Sequence, residues 1–166
     1  MRRLAAAVML ILSLLVSGLA IAGPSEDAKQ AYDRGDYKTA YRLNKSLAER
    51  GSPVAQSNLG LMYYNGKTVP QNYAEATKWF RKAADQGDAD SQYSLGLMYA
   101  IGKGVPQDYV LAYMWLNLAS TRDSAWEKEK RDKAEENRKN LASKLTPAQI
   151  AEAQKSAREW KLKKEK

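Results

Sequence analysis

From residue 25 to about residue 122, apolar positions recur at three- and four-residue steps, in blocks separated by breaks that carry Gly and Pro. That spacing marks amphipathic helices joined by short loops. Leu59, Met62 and Tyr63 share one side of a predicted helix, and Tyr73, Ala76, Trp79, Phe80 and Ala83 form a stripe on the next. Gly51-Ser52-Pro53 offers a C-terminal cap, an N-cap and a first-turn Pro in that order, and Gly87-Asp88 repeats the cap logic. Asn72 with Glu75 reads as a capping box, Asp108 as the matching cap, and Pro70 and Pro106 stop the helices before them.

The pattern has a period. Sliding residues 56–87 onto 92–123 gives identity at 15 of 32 positions, among them Leu59/Leu95, Gly60/Gly96, Tyr63/Tyr99, Pro70/Pro106, Tyr73/Tyr109 and Trp79/Trp115. A helix-interior Gly costs about 1 kcal/mol relative to Ala, so its presence in both copies predicts a close helix crossing there. Trp79 and Trp115 are the expected bulky wedges. One hairpin of this size cannot bury its apolar face alone, so successive hairpins must stack.

The string Ala55-Gln56, Leu59-Gly60, Tyr63, Gly66, Val69, Tyr73, Ala76, Trp79, Ala83-Ala84, Gly87 resembles the Sel-1-like repeat family, a branch of the tetratricopeptide-like helical superfamily. Gln92, Leu95-Gly96, Tyr99, Gly102-Lys103-Gly104-Val105, Asp108-Tyr109, Ala112, Trp115 and Ala119 give the second match, and residues 25–50 look like a related unit with a loop four residues shorter. The resemblance implies an all-α fold, an α-solenoid of antiparallel helix hairpins in a right-handed superhelix, acting as a non-enzymatic scaffold or adaptor. The expected organisation is a signal peptide over 1–22, a tetratricopeptide-like unit over 23–51, Sel-1-like repeats over 52–87 and 88–123, and two capping helices over 124–166.

The resemblance also places the first helix of each pair on the concave side. The faces left over there hold Ser57, Asn58, Leu61 and Tyr64, then Tyr93, Ser94 and Leu97, with Tyr32 ahead of them in the first unit. Tyr, Leu and small polar residues suit a peptide or protein partner, since Tyr supplies apolar area and a hydrogen bond at low entropic cost. Leu61, Leu97 and Tyr64 read equally well as inter-repeat core.

Composition narrows the chemistry. The 166 residues include no Cys and no His, which excludes disulfides, Cys-His or Ser-His-Asp catalysis and metal held through thiolate or imidazole. No catalytic, cofactor or metal residue is expected. Some Cys-rich relatives are linked to β-lactam binding or hydrolysis, and a cell-envelope enzyme or cell-wall-fragment binder is the alternative reading.

Met1-Arg2-Arg3, an apolar run from Leu4 to Val16 broken by Ser13, and Ala20-Ile21-Ala22 form an export signal with cleavage after Ala22. The expected location is periplasmic or secreted, with no membrane span after cleavage; an uncleaved anchor helix is the other possibility.

Residues 126–166 carry 13 Lys plus Arg against 8 Asp plus Glu, whereas residues 23–125 carry 12 against 11. The basic end reads as two solvated helices, 124 to about 143 and 147 to about 162, with Thr146-Pro147 and Gln149 starting the second. A second possibility is weak contact with an anionic membrane surface or envelope polymer. Interleaved charges such as Glu127-Lys128-Glu129-Lys130 argue against nucleic acid.

Overall fold

The computed structural model describes residues 23–121 and 127–164. The expected signal segment lies outside them, as do residues 124–126 at the expected start of the first capping helix. Among the described residues all regular structure is helical: α1 (Pro24–Asp33), α2 (Tyr37–Glu49), α3 (Pro53–Asn65), α4 (Tyr73–Asp85), α5 (Ala89–Ile101), α6 (Tyr109–Ser120), α7 (Lys128–Ala142) and α8 (Pro147–Lys164). Helices α1 to α6 form three hairpins, each helix packing on the next in sequence, so the chain is an α-solenoid.

Side-chain caps set the helix starts. Asp36, Ser52, Asn72, Asp88 and Asp108 each accept a hydrogen bond from the backbone N–H three residues on. The Asn72 capping box is half made: Asn72 accepts from Glu75 N at 3.0 Å, but the Glu75 carboxylate faces Lys78 at 3.4 Å. At α8 the box is reciprocal, with Thr146 N donating to Gln149 Oε1 at 2.9 Å and Gln149 N to Thr146 Oγ1 at 3.3 Å. Gly66 and Gly102 end α3 and α5 at φ 69° and 68°, left-handed backbone that Gly adopts without a Cβ penalty.

The two repeats are alike down to their loops. Gln71 Nε2 donates to Tyr64 O at 2.8 Å, and Gln107 Nε2 donates to Ala100 O at the same distance. At the junctions between hairpins, Gln56 Nε2 donates to Ala48 O at 3.0 Å and Gln92 Nε2 to Ala84 O at 3.3 Å, tying each first helix to the hairpin before it.

The close crossings at the helical glycines are present, but the side chains that fill them are not the tryptophans. A Cβ on Gly60 would lie 2.6 Å from the Phe80 ring, and one on Gly96 would lie 2.6 Å from Leu116 Cγ. The notch is filled by the residue after each Trp. One position round a helix is about 100°, so Trp79 and Trp115 point elsewhere. Trp79 joins an N-terminal core with Ala31, Ala40, Ala48, Ala55, Leu59 and Met62. Trp115, 1% exposed, meets Trp160 of α8 edge-on at 6.3 Å and carries Arg81 at 4.9 Å from its ring centre.

The C-terminal end departs from the repeat. Helix α6 is apolar on nearly all sides and is enclosed by α5, α7 and α8. Helix α8 folds back on α6, burying Ala153 and Ala157.

Candidate binding groove

The first helices of hairpins one and two leave an open groove of about 380 Å³ between them. From α1 it takes Ser25, Glu26, Ala28, Lys29 and Tyr32; from α3, Val54, Asn58, Leu61, Met62 and Asn65; Lys67 and Thr68 follow in the loop. Its apolar surface brings two exposed aliphatic side chains together, Val54 at 53% and Leu61 at 45%. Tyr32 stands beside them, its ring edge-on to Tyr37 at 5.2 Å.

Asn44 of α2 reaches the same groove, although it is only 3% exposed. Helices α2, α4 and α6 begin at Tyr37, Tyr73 and Tyr109, so the eighth residue of each is Asn44, Phe80 and Leu116. In the two repeats that position is the apolar plug against the glycine notch. In the first hairpin it is an amide. Its Nδ2 donates to Ala40 O at 2.9 Å, and its Oδ1 accepts from Asn58 Nδ2 at 3.0 Å, which satisfies the polar group that burial would otherwise penalise.

The structure divides the residues expected to face a partner. Tyr32, Asn58 and Leu61 come together in the groove. Ser57 is buried in α3. Tyr64 lies edge-on to Tyr73 at 5.3 Å, and Lys103 from the next loop sits 5.3 Å from the Tyr64 ring centre and 4.6 Å from that of Tyr73. This contact holds the Lys103 ammonium above its ordinary pKa, chiefly through its interaction with Tyr73. It is a clasp between repeats, repeated where Lys144 sits 5.0 Å from the ring centre of Tyr109.

Tyr93, Ser94 and Leu97, on α5, do not join the groove. Asn137 of α7 donates to Tyr93 Oη at 3.1 Å, and Lys130 of α7 pairs with Asp90 at 3.0 Å, an interaction that raises the Lys130 pKa. Ser94 Oγ donates to Asp90 O at 2.8 Å, and Leu97 is half-buried. Helix α7 thus lies against this stretch of α5.

Several charges of the basic end are paired within it. Lys128 pairs with Asp132, Lys133 with Glu129, Lys139 with Glu135 and Lys155 with Glu159, each one helical turn apart. Arg138 donates to Asn117 Oδ1 at 2.8 Å, and Lys161 to Thr121 Oγ1 at 3.0 Å. The charges of these helices thus alternate in sign and pair turn by turn, over the net surplus of Lys and Arg that the sequence carries there. Among the described residues no group of three or more carboxylates could hold a metal ion, and no helix is long and apolar enough to cross a membrane.

Sequence reasoning missed the rest of the groove lining, among it Glu26, Lys29, Asn44, Val54, Met62, Lys67 and Thr68. The signal for Asn44 was present, because aligning the three Tyr-initiated helices exposes a polar residue where the others carry Phe and Leu.

The Sel1 repeat family model matches residues 53–88 and 89–124. A protective antigen present in uropathogenic Escherichia coli strains, which displays an SLR fold, superposes with a TM-score of 0.74 at 33% identity, covering 82% of this chain and 29% of that one. A Sel1 repeat protein from Oxalobacter formigenes superposes with a TM-score of 0.51 at 37% identity, covering 52% of this chain and 66% of that one. The chain thus spans less than a third of the length of the first of these relatives. No curated protein matches it.

Proposed function

With two tandem Sel1 repeats at its centre the chain is a Sel1-like repeat protein, and from that premise we propose that it is an exported, non-catalytic scaffold holding a protein or peptide partner in the groove between α1 and α3. Sel1 repeats generally serve protein–protein interaction, and members of the family are typically non-catalytic. The observation that carries the reading is the uncovered apolar surface of Val54 and Leu61 beside Tyr32 and Asn58, in a groove large enough for several side chains. Helix α7 lies against the corresponding stretch of α5, which leaves the N-terminal half as the open binding face. Export rests on the basic start, the apolar run and the small residues ending at Ala22, and it places the protein in the periplasm or outside the cell.

The test is selection of a displayed library of linear peptides on the purified protein, with Leu61→Asp as the comparison. Enriched peptides should bind Leu61→Asp at least about tenfold more weakly, the scale of a central interface residue, while helical content is unchanged. Tyr93→Ala, outside the groove, should bind as the parent does. Equal binding by Leu61→Asp would remove the groove from consideration.

A further inference from the structure

The groove contains an oriented pair of amides, and on the reading of the groove as the binding site their orientation restricts what can lie there. Ala40 O can only accept, so the Asn44 group facing it is the Nδ2 donor and its Oδ1 is turned to Asn58. Asn58 must then present Nδ2 to Asn44 at 3.0 Å, which leaves Asn58 Oδ1 as an acceptor with no donor among the described residues. The order of donors and acceptors is therefore set from the α2 main chain outward. It is set by an amide at a position where the two repeats carry Phe80 and Leu116, so an apolar plug has been given up in this hairpin alone.

We propose that Asn44 and Asn58 form a backbone-reading subsite for an extended, acidic-flanked peptide. Asn58 Oδ1 accepts a main-chain N–H of the peptide, and an aliphatic side chain of the same segment enters between Val54, Leu61 and Met62. The segment is extended because a helix spends its interior N–H groups on its own carbonyls, whereas an extended strand presents them to its surroundings. Its flank is acidic on the Lys67 side alone, because Lys67 at the rim is exposed and has no carboxylate within salt-bridge distance among the described residues, while on the α1 wall Lys29 is engaged by Asp33 at 3.3 Å and Glu26 adds a negative charge of its own.

The experiment uses a peptide from the displayed library, synthesised as a series with one backbone nitrogen methylated at a time. Methylation at one nitrogen near the aliphatic residue should weaken binding to the parent protein about tenfold, as expected for loss of a buried hydrogen bond. In Asn58→Leu, binding should already be about tenfold weaker, and the same methylation should cost nothing further. Asn44→Leu, which restores the apolar plug, should also weaken binding while the protein melts no lower than the parent. The enriched peptides should carry Asp or Glu within a few residues of the aliphatic side chain, and Lys67→Glu should abolish that bias.

A flat methylation scan, equal losses in parent and Asn58→Leu, or enrichment without acidic bias would overturn the subsite while leaving the groove reading intact, provided Leu61→Asp still fails to bind. If no peptide distinguishes the parent from Leu61→Asp, the groove reading falls and the subsite with it.

Discussion

The first and the last hairpin of the described residues are packed in opposite ways. At the C-terminal end α6 is wrapped by α5, α7 and α8, with Trp115 against Trp160 and α7 bonded to Tyr93 and Asp90. At the N-terminal end the first hairpin packs with small residues, Ala28, Ala31, Ala40 and Ala48, and leaves Val54 and Leu61 uncovered. The same helix-pair geometry is closed where large apolar side chains and added helices fill it, and open where alanines and an amide stand in their place. Stability is therefore expected to concentrate at one end and recognition at the other.

The sharpest way to break this contrast is Trp115→Ala. It should cost about 3–5 kcal/mol in urea denaturation, because a ring 1% exposed leaves a cavity that α8 cannot fill by collapse. A loss below 1 kcal/mol would show that the closed end is not the stable one. Gly96→Ala comes next, at about 1–3 kcal/mol, since its new methyl would lie 2.6 Å from Leu116 Cγ and 3.3 Å from Ala112 O. Combining it with Leu116→Ala should give a non-additive result that recovers part of the loss.

A smaller effect tests the joint between the open hairpin and the first repeat. Tyr41 and Tyr63 share a hydrogen bond at 3.0 Å, and that bond, with burial, pushes the Tyr63 pKa up to about 12. The folded state therefore holds this proton more tightly than the unfolded chain, whose Tyr titrates near 10. The stabilisation is complete below about pH 10 and is lost as pH rises through about 12. Tyr41→Phe should lower stability at pH 8 by about 1 kcal/mol and flatten the alkaline decline, measured by denaturation at pH 8 and pH 11.5. A parent and variant with parallel alkaline profiles would count against the bond.

The smallest effect belongs to the charged surface of α7. Lys133→Gln should leave the urea midpoint where the parent has it, because the Glu129–Lys133 pair is exposed and separated by one helical turn. A clear drop in the midpoint, or strong salt dependence of the parent, would mean that these charges hold the closed end together.

Local features of the fold were legible because they repeat. The Ser52, Asn72, Asp88 and Asp108 caps and the Gly60 and Gly96 notches each leave a mark that recurs after 36 residues. What fills a notch was less legible: Phe80 and Trp79 are both bulky and adjacent, and spacing alone cannot choose between side chains about 100° apart on one helix. The placement of α7 was hidden for a different reason. Its bond from Asn137 to Tyr93 joins residues 44 apart and involves no periodic position. Of the groove, Tyr32, Asn58 and Leu61 were visible as leftover faces, whereas Asn44 belongs to a second helix that the concave-face argument never consulted.

The uniform junctions have an evolutionary consequence. Gly51-Ser52 and Gly87-Asp88 close and reopen the chain in the same manner, and Gln56 and Gln92 latch onto the preceding carbonyls alike. A block of 36 residues duplicated by unequal crossing-over at residue 87 would offer both neighbours surfaces they already recognise. Length can thus drift in the middle of such an array by whole blocks, while its two bespoke ends pass unchanged through every duplication.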